Sequence, residues 1–196
     1  MGGHGMTPWR AGCAETCTSG SEGGPRKRAG RKTGTAPWPD PYTYLRCWEG
    51  VVYFSFVIDA YSRAIVGWQF AAHMRTDLVL DALRMALAQR GGGANLLLIH
   101  HSDAGSQYTS NDYSQTLDDH GVQASIGTVG DAYDNASAES FVDSFKTELI
   151  RDRVWQTRSQ LELAIVEYVA WFNTERLHTS LGGVPPAEFE RDHARR

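Results

Sequence analysis

Two carboxylates and a lysine are spaced so that they would do chemistry together. Asp103 lies just past the predicted strand 96–100, in the run His100-His101-Ser102-Asp103-Ala104-Gly105-Ser106-Gln107-Tyr108. That is where open α/β sheets place their ligands, and the nearby glycine permits close approach. Glu139 follows 36 positions later on a helix predicted to start at Asp134, and Lys146 falls seven residues beyond it, on the same helical face two turns on. Carboxylates gathered from distant segments repel one another unless a cation lies between them, and hard oxygen ligands suit Mg²⁺ or Mn²⁺. Two such ions, about 3.5–4 Å apart, clamp the attacking and leaving oxygens of an in-line phosphoryl transfer. A third carboxylate usually completes such a site. Residue type alone is weak evidence, since most of the 23 acids in the chain are expected to be solvated surface charges.

Other residues near this constellation have simpler readings. Asp59 closes an apolar strand and is an alternative first ligand, but an Asp there more often caps the following turn, here Ala60-Tyr61-Ser62-Arg63. One of His100 and His101 is expected to be packed and hydrogen-bonded rather than a ligand. Asp131 and Asp134 precede Glu139 closely, and Asp134 reads as the N-cap of its helix.

The elements that must position these groups form a mixed α/β pattern. Alternation from residue 43 gives a strand ending at Trp48, a Glu49-Gly50 turn, a nearly continuous apolar strand over 51–58, a turn over 59–62 and a third strand over 63–70. A helix over 76–90 ends at Gly91-Gly92-Gly93; a strand over 96–100, a helix over 111–120 and a strand over 122–126 follow. The Glu139 helix is predicted over 134–151. Thr157-x-x-Gln160 is a capping box for the next helix, and Pro185-Pro186 restarts a last short one. The predicted fold has three antiparallel strands, the middle one buried on both faces, extended by two further strands each reached through a helix.

The chain has 196 residues, 19 Lys+Arg and 23 Asp+Glu, for a net charge of -4. That size suits a single folded domain, and mild acidity argues against binding nucleic acid by bulk charge alone. No apolar run approaches the length of a membrane span, and no signal segment opens the chain. Cys13, Cys17 and Cys47 form neither an even set nor a zinc motif, and are expected to be reduced thiols in the cytoplasm. Charge and composition divide the chain sharply. Residues 1–42 hold six Lys/Arg and three Asp/Glu, whereas the remainder holds 13 and 20. Up to Pro41 there is no Ile, Leu or Val, while five of the seven prolines and nine of the 20 glycines fall there. Such a segment cannot offset its ordering entropy by burial, so disorder is expected over 1–42, with the folded domain over 43–190.

Three motifs in order carry a resemblance to a known family: His-His-Ser-Asp-x-Gly-x-Gln-Tyr, Gly-Asp-Ala-Tyr-Asp-Asn-x-x-x-Glu, and Phe172-Asn173-x-x-Arg176-x-His178-x-x-Leu181 running on to Pro185-Pro186-Ala187-Glu188-Phe189. From about 43 to 190 the chain resembles the integrase catalytic core of bacterial insertion-sequence transposases, of the OrfB type related to retroviral integrases. The resemblance implies a ribonuclease-H-like fold, an Asp-Asp-Glu triad holding two Mg²⁺ (or Mn²⁺) ions, and DNA strand cleavage followed by strand transfer. Asp103 then matches the second acid, Glu139 the third, and Lys146 the basic residue that contacts a phosphate of the transposon end. Asn173, Arg176 and His178 either fix the C-terminal hairpin or approach DNA. Partners implied are DNA and either further copies of the chain or an OrfA-type recognition subunit; with no helix-turn-helix seen ahead of the core, end recognition is expected to need a partner subunit or an upstream region.

The first acid departs from the pattern. Relatives carry Asp-x-Thr-Tyr, whereas Asp40-Pro41-Tyr42-Thr43-Tyr44 sets Asp40 one residue too far upstream, and a one-residue slip turns a strand side chain to the opposite face. A bulge at Pro41 would restore its direction. The coincidence with the compositional boundary suggests a reading-frame slip or misplaced start ahead of Thr43, which would make the first segment non-native. Two other readings follow: an inactive remnant that at most binds DNA or other transposases, and a ribonuclease-H-like nuclease. Relatives often have Arg where Ala104 stands, so a phosphate contact is expected to be lost there.

Overall fold

The computed structural model describes residues 9–13, 44–73, 75–91, 98–102, 110–126 and 132–194. In chain order the elements are β1 (Trp9–Cys13), β2 (Tyr44–Cys47), β3 (Gly50–Asp59), β4 (Ile65–Ala71), α1 (Thr76–Gln89), β5 (Leu98–Ser102), α2 (Asn111–Asp119), β6 (Gln123–Ile126) and α3 (Ala132–Phe145). A π-helical turn, Lys146–Ile150, continues α3; then come α4 (Arg158–Thr174), a 3₁₀ turn (Thr179–Leu181) and α5 (Pro186–Ala194).

The β-branched and aromatic run of β3 makes it the centre of the antiparallel part. Its even-numbered residues Val52, Phe54, Phe56 and Ile58 face one core cluster and Val57 faces the other, so the strand is buried on both sides. The first cluster packs β2, β3 and β4 against α3 and α4; the second packs β3 and β4 against α1, α2 and β5. Gly67 on β4 lets α1 approach closely, because a Cβ there would lie 2.1 Å from the Ala82 carbonyl oxygen. The α4 N-terminus is capped as expected: Thr157 Oγ1 accepts from the Gln160 amide at 3.2 Å.

Within the segment 1–42, whose composition predicts disorder, the five described residues Trp9–Cys13 form strand β1. It pairs antiparallel with β3 and parallel with β5, which in turn pairs parallel with β6. Backbone hydrogen bonds hold a strand in a sheet whatever its side chains, so a composition without Ile, Leu or Val does not prevent it. Tyr53 pairs with Tyr44 of β2 and Ala71 of β4, while Val57 pairs with Cys13 of β1 and Gly67 of β4. Hence β1 and β2 lie end to end along one edge of β3, opposite β4. Extended backwards in register, β2 would set Asp40 opposite Val57, a place held by Cys13. Asp40 itself, with the rest of the first segment, lies outside the described residues.

Candidate active site

Of the predicted site residues, Glu139 and Lys146 lie among the described residues, on α3 and at the start of the π turn that continues it. β5 ends at Ser102, and Asp103 begins a stretch outside the described residues, as do Ala104 and Asp131. The strand's approach to that point is anchored from beneath. His100 is 1 % exposed, and its Nε2 lies 2.7 Å from the hydroxyl of fully buried Tyr113 on α2. Burial, with help from neighbouring His101, lowers the His100 pKa to about 4 and keeps the ring neutral. The expectation of one packed, hydrogen-bonded histidine therefore holds for His100.

Glu139 lies on α3, which starts at Ala132, so Asp134 is inside the first turn rather than at the N-cap; the helical pattern simply begins two residues earlier. Phe141 and Phe145 seat the helix on β3, with ring centroids 4.3 Å from Phe56 and 5.2 Å from Phe54. Glu139 is on the exposed side. Seven α-helical steps carry the chain to Lys146, about 20° from Glu139 around the axis, with exposed Asp143 between them. At Lys146 the helix widens, its carbonyl accepting from the Arg151 amide at 2.8 Å. Among the described residues neither Glu139 nor Lys146 has an ion-pair partner.

Other acids are engaged inside the protein. Asp59 is 1 % exposed; its Oδ1 accepts from the amides of Tyr61 and Ser62 at 2.8 and 3.2 Å, and its Oδ2 accepts from Arg90 at 2.7 Å. It is the turn cap, as the simpler reading expects. Arg90 also bonds Glu190 of α5, which lays Phe189 edge-on against Tyr61. Glu148, within the π turn, accepts from Arg176 and Tyr168.

The motif residues Asn173, Arg176 and His178 are each engaged within the protein. Asn173 accepts from the Ile65 amide at 2.8 Å and donates to its carbonyl at 2.9 Å, completing the edge of β4. His178 packs edge-on against Phe172 at 4.7 Å, and its amide donates to the Val184 carbonyl. Sequence reasoning missed Ser144, Glu148 and Tyr168 as the partners that Arg176 and its motif require; the i, i+4 spacing of Ser144 and Glu148 was the available signal.

A metal-binding reading meets a mixed donor set. Among the described residues no group of three or more His, Cys, Asp or Glu could hold an ion. Exposed Glu139 suits a hard cation, but β1, the strand between β3 and β5, is Trp-Arg-Ala-Gly-Cys and brings no carboxylate. No helix among the described residues is long and apolar enough to cross a membrane.

This sheet, antiparallel on one side and parallel on the other with helices on both faces, is of the ribonuclease-H-like class seen in retroviral integrase catalytic cores. The chain belongs to the integrase core domain family: two models of that domain match residues 36–132 and 120–186, the first beginning inside the Pro/Gly-rich segment. It is 45 % identical over 155 residues to the transposase for insertion sequence element IS629 of Shigella sonnei, covering 79 % of this chain and 51 % of that one. It is 43 % identical over 169 residues to a putative transposase for IS986/IS6110 of Mycobacterium tuberculosis, covering 84 % of this chain and 61 % of that one. Thus the chain matches only about half to three fifths of these relatives' length. In fold it is similar to the HTLV-2 integrase catalytic core domain solved in complex with magnesium, with a TM-score of 0.58, 13 % identity, and coverage of 76 % of this chain and 90 % of that chain.

Proposed function

We propose that this chain is the catalytic core of an insertion-sequence transposase, which cleaves DNA strands and joins the exposed 3′-hydroxyl to a target phosphodiester. The observation that carries this reading is the division of labour among the acids: Asp59 and Glu148 are tied to arginines, while Glu139 stands exposed on α3 with no ion-pair partner among the described residues. Asp103 and Glu139 would hold Mg²⁺ or Mn²⁺, two ions in the full site, with Asp40 as the candidate first ligand. When bound, the metal supplies Lewis-acid stabilisation of charge on the phosphoryl oxygens. The protein's own part is positional: α3 presents Glu139, and Lys146 contacts a phosphate of the transposon end two turns along the same face. Ends of the element would be recognised with an OrfA-type subunit or through self-association, in the cytoplasm.

One observation favours a second reading, an inactive core that retains only binding. Cys13 holds the place opposite Val57 that a continuous β2 would give to Asp40. Calorimetric Mn²⁺ titration of the full chain separates the two. Binding abolished by Asp103→Ala, Glu139→Ala and Asp40→Ala supports the active triad; binding indifferent to all three removes it. Transfer of a labelled oligonucleotide end into plasmid then distinguishes a transposase from a nuclease that only cuts.

A further inference from the structure

Arg176 grips the helix that carries Glu139 and Lys146 from behind, at two points. Its Nε donates to both Glu148 carboxylate oxygens at 3.0 and 3.1 Å, and its Nη2 donates to Glu148 Oε1 at 2.8 Å and to Ser144 Oγ at 3.2 Å. The Tyr168 hydroxyl donates to the other Glu148 oxygen at 2.7 Å. Ser144 and Glu148 straddle Lys146 in sequence. At about 100° per residue they lie about 140° and 180° around the axis from Glu139, and the wider π turn keeps Glu148 on that rear side. Arg176 is itself tied to the sheet: its guanidinium lies 5.3 Å from the Phe172 ring centre, and adjacent Asn173 is bonded to both backbone groups of Ile65.

Apolar packing and the arginine do different work on this helix. Phe141 and Phe145 hold α3 against β3, but apolar contact is non-directional and resists lifting more than rolling. A guanidinium fork is directional, and it resists the roll. We infer that Arg176 is a positioning residue that sets the rotation of α3 and the π turn, and so the angle at which Glu139 and Lys146 face DNA. This rests on the reading of Lys146 as a phosphate contact.

The test uses the full chain and a fluorescein-labelled DNA duplex of arbitrary sequence, with affinity measured against salt for the parent, Lys146→Ala, Arg176→Ala, Arg176→Lys and the double variant Lys146→Ala/Arg176→Ala. Melting curves set an assay temperature at which all are folded, and Glu148→Gln replaces Arg176→Ala if the latter does not fold. In the parent, Lys146→Ala is expected to lower the salt slope by about 1. Arg176→Ala is expected to reproduce most of that loss, and adding Lys146→Ala to it to change affinity by less than about twofold. Arg176→Lys keeps the charge without the fork and should behave like Arg176→Ala. A Lys146→Ala effect of equal size in both backgrounds overturns the positioning role.

Amide exchange without DNA gives a second readout. Arg176→Ala should speed exchange across residues 146–150 by about tenfold or more while β3 is unchanged, and no acceleration there also overturns the proposal. If Lys146→Ala has no effect in the parent, the phosphate-contact reading fails and the positioning role fails with it. Accelerated exchange in that case would mark the failure as lying in the DNA reading and not in the grip.

Discussion

Asp59 and Glu148 are each held by an arginine, yet the two pairs sit in different surroundings and titrate in opposite senses. Around Asp59, at the end of β3, burial dominates and raises its pKa above the ordinary 3.8; Arg90 and the amides of Tyr61 and Ser62 offset this only in part, and Glu190 adds to it. Around Glu148 burial also pushes upward, but bonds from Arg176 and Tyr168 together outweigh it and hold the carboxyl below the ordinary 4.5. The difference is solvent. The Asp59 side chain is 2 % exposed and that of Glu148 31 %. A buried pair is retained at a desolvation cost and is damaging to break, whereas a half-exposed pair with several donors is modestly stabilising and chiefly directional. The first pair therefore serves the fold, closing α1 and α5 over the β3–β4 turn, and the second is placed to serve geometry.

Removing each arginine in turn separates the two pairs. Arg90→Met leaves a buried carboxylate unpaired and is expected to cost about 3–4 kcal/mol in urea unfolding. Arg176→Met, whose partner keeps Tyr168 and some solvent, should cost about 1 kcal/mol. Equal losses would end the distinction.

A third buried group tests whether burial alone sets the direction. His100 has no compensating charge, and with its pKa lowered from 6.5 to about 4 it contributes stability that is present above 6.5 and lost as pH falls toward 4. The loss should reach up to about 3 kcal/mol, and His100→Gln should flatten that part of the stability profile.

The smallest expected effect lies in the opposite signs of the two titrations. Glu148, with a depressed folded pKa, contributes stability that is present above 4.5 and lost as pH falls through its folded value. Asp59, with a raised one, contributes stability that is present below 3.8 and lost as pH rises through its folded value. Glu148→Gln should therefore flatten the acid limb of the stability curve, and Asp59→Asn should steepen it. Shifts of the same sign would refute the assignment.

Most of the architecture was legible because its signals are local. The both-faces burial of β3, the helices of α1 and α2, and the Thr157 cap follow from period and from side-chain chemistry within a few residues. The Glu139 helix was read to within two residues at its start, while the π turn was not, since it reflects how Glu148 and Leu149 are each held by other segments. β1 escaped notice for a different reason. Its pairing is written in backbone hydrogen bonds to β3 and β5, which no side-chain pattern reports. Of the proposed site, Glu139 and Lys146 were legible as one helical face, whereas Asp103 and Asp40 lie outside the described residues.

The order of elements from β2 onward, the family, and the spacing that sets Glu139 and Lys146 two turns apart were all legible in the sequence, because each depends on neighbours along the chain. What the remaining charged residues do depends on packing between distant segments. Arg176 lies 28 residues from Glu148 and Arg90 lies 31 from Asp59, so whether an acid is spent on an arginine or left exposed depends on which distant segment packs beside it. Packing also set the sign of each titration, since desolvation and donor count are properties of the assembled surroundings and not of the residue.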